Sequence, residues 1–339
     1  MVEGIGNTIE MRHGSGGKES HRLINNLIKK YFNNEFLNRD NDATFLPLKT
    51  NNISITTDSF VITPRFFKGG NIGKLSVCGT INDLAVSGAT PKYLTCGLII
   101  EEGFKINELE EIIKSIASEA KKAGVYIVAG DTKVVEKGSV DGIFINTTGI
   151  GELEREIIDV SNAKVGDTII VNGTLGDHGM SIMCSREELN IFGDIESDCV
   201  TLNYLVKDIL EVAEEGIHVM RDATRGGIAA VLNEIAIKSN VTIEINEEDI
   251  PVKKEVVATC ELLGLEPLSI ANEGKIVFFV QEKYVDKVLN KMRNNNLGKN
   301  SKVIGKVVKS GEGIVLLNTV IGGKRILDMP VGENLPRIC

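Results

Sequence analysis

The sequence predicts an α/β (α+β) protein of two domains, and three observations predict it. The chain has 339 residues, more than one ordinary domain takes. Short apolar runs alternate with amphipathic segments, which argues for mixed helix and strand. A glutamate-rich stretch at Glu152, Glu154 and Glu156 separates two glycine-bounded blocks. That stretch puts a boundary near residue 155. It divides the chain into an N-terminal domain (1–155), a C-terminal α/β domain (156–325) and a flexible tail (326–339) ending in Cys339. The composition, 42% hydrophobic and 25% charged, is that of a globular chain able to bury a large core.

The elements follow in order. Residues 53–57 read as a strand. Residues 74–87 read as a helix with Leu75, Cys78, Asn82 and Ala85 close in azimuth, ended by Gly88 and Pro91. Its many small residues imply a neighbour packed near its backbone. Residues 108–123 read as the clearest helix. Leu109, Ile112, Ile113, Ile116 and Ala120 share one face, Asn107 serves as the cap with Glu110 as its box partner, and Gly124 is the stop. A strand over 125–129 then runs into Gly130-Asp131-Thr132-Lys133. Further strands are expected at 143–149, 168–172 and 241–245, with a helix over 227–237. The late chain reads as strand 275–280, helix 285–292 and strand 302–308.

Several function classes are excluded. The net charge is −9, aromatics are 5% and Trp is absent, so the chain lacks both the basic surface and the stacking platforms of a nucleic-acid binder. Its six cysteines (78, 96, 184, 199, 260, 339) form no C-x-x-C pair. That argues against a zinc site or a disulfide framework and for a reducing cytoplasm. The N-terminus shows no basic region followed by an apolar run. Apolar runs such as 94–100 are too short to span a membrane.

Five places could carry chemistry. Gly14-Ser15-Gly16-Gly17-Lys18 offers backbone amides and a lysine to phosphate; a loose N-terminal arm is the bland alternative. It is not a Walker A loop, since Arg12 and Glu19 stand where Gly and Ser or Thr are required. Asp58, Asp83 and Asp131 follow apolar runs and could converge on Mg²⁺, though such acids also serve as turn formers and caps. Asn172-Gly173 with Gly176-Asp177-His178-Gly179 resembles a strand–turn–helix anion site. There His178 is either a proton-transfer group or an exposed turn residue. Arg221-Asp222-Ala223-Thr224-Arg225-Gly226-Gly227 leads into a helix. It either binds an anion through Arg225 or forms a local Asp–Arg cap. Last comes the tail with Pro336-Arg337-Ile338-Cys339. Eight extended residues reach about 27 Å at most, enough to swing a thiol into a cleft. Cys339 is not four from the end, so it is no prenylation box.

Together and in this order, these segments resemble the ATP-binding superfamily of aminoimidazole ribonucleotide synthetase, selenophosphate synthetase and thiamine monophosphate kinase. Asn272-Glu273-Gly274-Lys275 completes the set, and the resemblance spans essentially the whole chain. Within the superfamily, the terminal Pro-Arg-Ile-Cys is similar to the hydrogenase-maturation HypE family. The resemblance implies an aminoimidazole ribonucleotide synthetase-like fold with ATP in the cleft between domains, and a homodimer whose N-terminal strands form a barrel. It implies Mg²⁺ on Asp58, Asp83 and Asp131. ATP would be held by Gly16, Gly17 and Lys18, with Asn82, Gly130, Thr132, Asn172 and Arg225. The implied reaction is ATP-dependent dehydration of an S-carboxamide on Cys339 to a thiocyanate, the cyanide source for [NiFe]-hydrogenase iron. The implied partners are a HypF-like carbamoyltransferase and a HypC–HypD complex. Glu273 is the expected base, with Lys133 and then His178 as further proton-transfer groups. The rival readings are another synthetase of the superfamily and a non-catalytic thiol carrier. Selenophosphate synthetases carry a reactive Cys or Sec in the glycine-rich arm, and residues 12–18 here have none.

Overall fold

The computed structural model describes residues 6–15, 17–39, 43–186, 193–332 and 335–339. At the N-terminal end, two short helices, α1 (Lys18–Leu23) and α2 (Lys29–Phe32), flank a π-helical turn at Ile24–Ile28. A four-stranded sheet follows: β1 (Ile53–Phe60), β4 (Thr90–Glu101), β5 (Tyr126–Val135) and β6 (Ile143–Glu152), in the order β1-β6-β4-β5. A small hairpin, β2 (Phe66–Phe67) with β3 (Gly70–Asn71), leads into helix α3 (Ile72–Val86). The parallel β4–β5 pair is joined through helix α4 (Ile106–Ala123), since parallel neighbours need a long crossover.

Helix α3 begins two residues earlier than its apolar spacing predicts, because Asn71 caps it. The Asn71 Oδ1 accepts from the amides of Gly73 and Lys74, each at 3.0 Å. The close neighbour implied by its small residues is α4: a Cβ on Gly73 would stand 2.5 Å from the Ile112 carbonyl oxygen. Helix α4 starts at Ile106 after Lys105, with no side-chain cap, so the expected Asn107 cap is corrected. Strand β5 continues through Gly130-Asp131-Thr132-Lys133 instead of ending before it, because that stretch pairs with Cys96–Ile99 of β4.

The second sheet has seven strands: β7 (Thr168–Val171), β8 (Ile217–Asp222), β9 (Val241–Asn246), β10 (Ile276–Val280), β11 (Lys302–Ser310), β12 (Ile314–Asn318) and β13 (Lys324–Ile326). Their order is β13-β12-β9-β11-β7-β10-β8. Both its faces are covered. Val277 and Phe279 of β10 pack with Ile228 and Leu232 of α7 (Gly227–Ser239). Ile276 and Phe278 pack with Leu205 and Ile209 of α6 (Asn203–Ala213) and with Val288 of α9 (Val285–Arg293). Helices α5 (Asp177–Cys184) and α8 (Lys254–Leu263) complete the set among the described residues.

Helix α3 is the joint between the sheets. It packs on β1 and β6 on one side and on β8 and α6 on the other. That position explains why it is buried nearly all round.

Candidate active site

Four carboxyl groups meet where α3 touches both sheets. Asp58 lies on β1 and Asp83 on α3. Thr56 donates to Asp83 at 2.8 Å and Thr80 to Asp58 at 3.4 Å. Burial, then the neighbouring Asp83 charge, pushes Asp58 up to about 6. Asp222, at the end of β8, is pushed up to about 7 by burial and then by Asp83, with Asp58 adding to the repulsion. Glu273, just before β10, is 3% exposed. Burial holds its carboxyl well above the usual range, and the acids around it, Asp222 and Asp58 included, push the same way. Arg225 is the cation that partly offsets Asp58.

This crowding tests the fit of a divalent cation. Among the described residues no set of three His, Cys, Asp or Glu side chains forms a metal centre. Asp58 and Asp83 instead supply two hard oxygen donors that repel each other when alone. That suits a cation such as Mg²⁺, which takes one or two carboxylates and completes its shell with phosphate oxygens and water.

The third expected acid lies elsewhere. By register Asp58 stands opposite Thr147, Thr147 opposite Cys96, and Cys96 opposite Gly130. Three strand spacings, about 14 Å, therefore separate β1 from β5. Side chains alternate faces along a strand, so Asp131, one residue past Gly130, shares the face of Ser59 instead of Asp58. Asp131 is exposed and pairs with Lys133 at 3.1 Å. Within one chain, then, neither Asp131 nor Lys133 joins the acids around α3.

Asp131, Thr132 and Lys133 instead line a cavity of about 480 Å³ together with Gly130 and Gly14. Its far wall is apolar, with Phe32, Phe36, Leu37 and Val128. His13 lines it too and is 1% exposed. Its Nδ1 accepts from the Glu10 amide at 2.9 Å, and its Nε2 has no partner. Burial, then Arg12, pulls this imidazole below its ordinary pKa, so Nε2–H is a neutral donor beside the cavity. Lys18 opens α1 directly after Gly17 and is exposed. Gly16 lies outside the described residues.

Three expected site residues are already committed to the protein itself. Asn82 donates to the carbonyls of Val200 and Glu273 and accepts from the Leu202 amide. It thus ties α3 to the second domain. Asn172 donates to Gly274 and Leu297 and accepts from Ile276, so it braces the turn before β10. His178, expected as an exposed turn residue or a proton-transfer group, is fully buried with both ring nitrogens occupied.

Asp198 is a residue that sequence patterning missed. Its oxygens accept from the amides of Glu273 and Gly274 and from Lys275 at 2.8 Å. Burial alone would raise its pKa, but Lys275 beside it holds the carboxyl low. Asp198 therefore sets the Glu273 turn from a segment with no periodicity to announce it. Asp222 was visible only as a helix lead-in, because nothing local shows that β8 ends against α3.

The tail is seated in this structure. Val61 donates its amide to Cys339 O and Thr63 to Arg337 O, both at 3.1 Å. Arg337 returns a bond to Val61 O at 2.8 Å and pairs with Asp141 at 2.8 Å. Leu335 and Ile338 are buried and Cys339 half-buried. The tail thus lies beside the end of β1, three residues beyond Asp58. Arg225 lines a small cavity together with Leu335 and Ile338.

Comparison with known proteins matches this architecture. Residues 40–153 match the AIR synthase related protein N-terminal domain, and residues 164–318 its C-terminal domain. The chain is 46% identical to the carbamoyl dehydratase HypE of Bradyrhizobium diazoefficiens, covering 98% of this chain and 96% of that one. It is 44% identical to that of Escherichia coli, covering 98% and 100%. A crystal structure of hydrogenase maturation protein HypE in complex with ATP superposes with a TM-score of 0.93 at 44% identity, over 98% of this chain and 100% of that one. A HypE–HypF complex superposes at 0.79 with 48% identity, over 91% and 99%. Thiamine monophosphate kinase from Aquifex aeolicus shares the fold alone, at 0.59 and 21% identity over 80% and 89%. On its full-length likeness to these proteins, the chain belongs to the HypE family of AIR synthase related proteins.

Proposed function

We propose that this protein is a carbamoyl dehydratase that converts an S-carboxamide on Cys339 to a thiocyanate at the expense of ATP, and so supplies cyanide for [NiFe]-hydrogenase assembly. The observation that carries this is the seating of the terminal cysteine beside β1, whose Asp58 belongs to the acid cluster with Asp83, Asp222 and Glu273.

The chemistry follows from the leaving group. An amide oxygen does not leave as oxide, but a phosphorylated oxygen leaves as phosphate. The carboxamide oxygen on Cys339 attacks the γ-phosphorus, ADP departs, and loss of both N–H protons with phosphate leaves S–C≡N. Asp58 and Asp83 hold a divalent cation whose charge, when bound, offsets that of the phosphates. Glu273 is the base for the N–H protons. Its buried, crowded carboxylate binds a proton more tightly than a free one, which suits it to that transfer. The cavity with the apolar Phe32–Leu37 wall is the place for the adenine. Its polar end, with Gly14, Thr132, Lys133 and the His13 Nε2–H, and with Gly17 and Lys18 on the adjoining arm, faces the ribose and phosphates.

A homodimer accounts for the position of Asp131 and Lys133. They lie on the sheet face that also leaves Ile53 and Ile55 uncovered. A second copy packed there would complete the site across the two chains. The carbamoyl group comes from a HypF-type carbamoyltransferase, in keeping with the HypE–HypF complex of a relative, and the cyanide passes to a HypC–HypD complex. Six cysteines that form no disulfide suit a reducing cytoplasm. No helix among the described residues is long and apolar enough to cross a membrane.

Mass spectrometry of the C-terminal peptide tests the reading. After incubation with the carbamoyltransferase and carbamoyl phosphate, Cys339 gains a carbamoyl group. On adding ATP with Mg²⁺ it loses one water. An adduct that never loses water leaves a carrier only, and no adduct at all overturns the assignment.

A further inference from the structure

Helix α5 and the residues just beyond it carry two side chains that hold backbone carbonyls of the tail. At its start, His178 Nε2 lies 2.6 Å from Ile338 O. A carbonyl can only accept, so Nε2 carries the proton and Nδ1 accepts from the Ser197 hydroxyl at 2.8 Å. Ser197 is fixed in turn, since its oxygen accepts from the Cys199 amide at 3.1 Å. The Phe67 ring closes the other side of the imidazole edge-on, at 5.6 Å between centroids. Just past the end of α5, Arg186 donates to the carbonyls of Pro336 and Arg337 and to Thr63 O. Between them Gly179 leaves room for the tail: a Cβ there would stand 3.1 Å from Leu335 Cδ1 and 2.6 Å from Ile270 Cγ2.

The consequence falls on Cys339. The carbonyl before it is held by His178, and its own carboxyl oxygen by the Val61 amide. With the backbone pinned on both sides, the thiol retains only its χ1 rotamers. A group carried on Sγ is then presented in a few directions instead of being swept through the cleft, and such orientation is a large part of catalysis.

We propose that His178 is a positioning residue for dehydration: a neutral Nε2–H donor that clamps the Ile338 carbonyl and thereby aims the group on Cys339. This rests on the reading that Cys339 carries the reacting group. The ring has no free lone pair for the substrate, so its part is not proton transfer. Loading requires the thiol to reach another enzyme, so the clamp serves the second half-reaction and not the first.

The test compares His178→Gln, which keeps an N–H donor, with His178→Leu, which keeps bulk alone. Full-length protein is carbamoylated first, then mixed with ATP and Mg²⁺, and water loss is followed in a single turnover from pH 6 to 9. His178→Leu should slow this step about 10- to 100-fold, the usual cost of stranding a buried carbonyl. Its ATP dependence and the shape of its pH profile should stay as in the wild type, while His178→Gln recovers most of the rate. Loading of Cys339 should be undiminished, and its alkylation by iodoacetamide faster. Wild-type dehydration and alkylation rates in His178→Leu overturn the proposal. So does a lost pH inflection that Gln fails to rescue, which would make the ring an acid–base group. If His178→Leu does not fold, Ser197→Ala removes the hydroxyl that holds the ring in place, and unchanged alkylation and dehydration there count against the clamp. Alkylation needs neither partner nor ATP, so a failure of the functional reading stays distinguishable from a failure of the clamp.

Discussion

The two sheets of this protein use their faces in opposite ways. The seven-stranded sheet is covered on both sides, and every residue of β10 is buried. The four-stranded sheet is covered by helices on one side only. On its other face Ile55 is 64% exposed, and among the described residues the stretch around Phe36 and Leu46 packs on Tyr93 and Val128. One sheet is finished within the chain, while the other keeps an apolar face available. The candidate-site acids sit where the two meet at α3, with Asp222 and Glu273 from the covered sheet and Asp58 from the half-covered one.

Four outcomes would break or sharpen that contrast. Phe279→Ala, in the finished sheet, should cost about 3–5 kcal/mol in urea unfolding. A loss below about 1 kcal/mol would mean that the second domain is not the rigid half. Glu273→Gln should slow single-turnover dehydration about 10²- to 10³-fold while leaving carbamoyl loading intact. A wild-type rate would remove Glu273 as the base.

Asp222→Asn should stabilise the nucleotide-free protein in EDTA by about 2 kcal/mol at pH 8. The sign follows from the raised pKa. Between the ordinary 3.8 and about 7 the folded protein holds a proton that the unfolded chain has lost, so native stability falls as pH rises through that window. The advantage of the asparagine variant should therefore vanish near pH 4. A constant advantage at all pH values would point to packing instead of charge. Ile55→Asp should leave the stability of the single chain within about 0.5 kcal/mol yet weaken self-association roughly tenfold by sedimentation. An unchanged association constant would place the dimer contact elsewhere.

Part of the candidate site was legible from local chemistry. Asp58, Asp83 and Glu273 stood in motifs, and the structure brings them to one seam. Cys339 was marked by its position at the end of the chain. Asn82 and Asn172 stood in the same motifs, yet the structure spends them on bracing, because a motif records that a residue is needed and not which atoms it meets. Asp198 left no trace, since its partners at 273–275 are 75 residues and more away. Helix α3 was found from spacing, but its start was set by Asn71, outside the apolar pattern. The 12-residue strand β4 showed only as an apolar run, because a strand covered on one face and half covered on the other loses clean alternation.

By itself the sequence determined the alternation of helix and strand, the glycine-rich arms, the candidate cation-binding acids and the terminal thiol. These depend on periodicity and residue chemistry, which are local. Only the tertiary structure decided which acids crowd together at α3, that Asp131 lies across the sheet from Asp58, and that His178 holds the tail. Those facts follow from strand order and from the packing of α3 between two sheets, and strand order is settled by contacts between residues far apart in the chain.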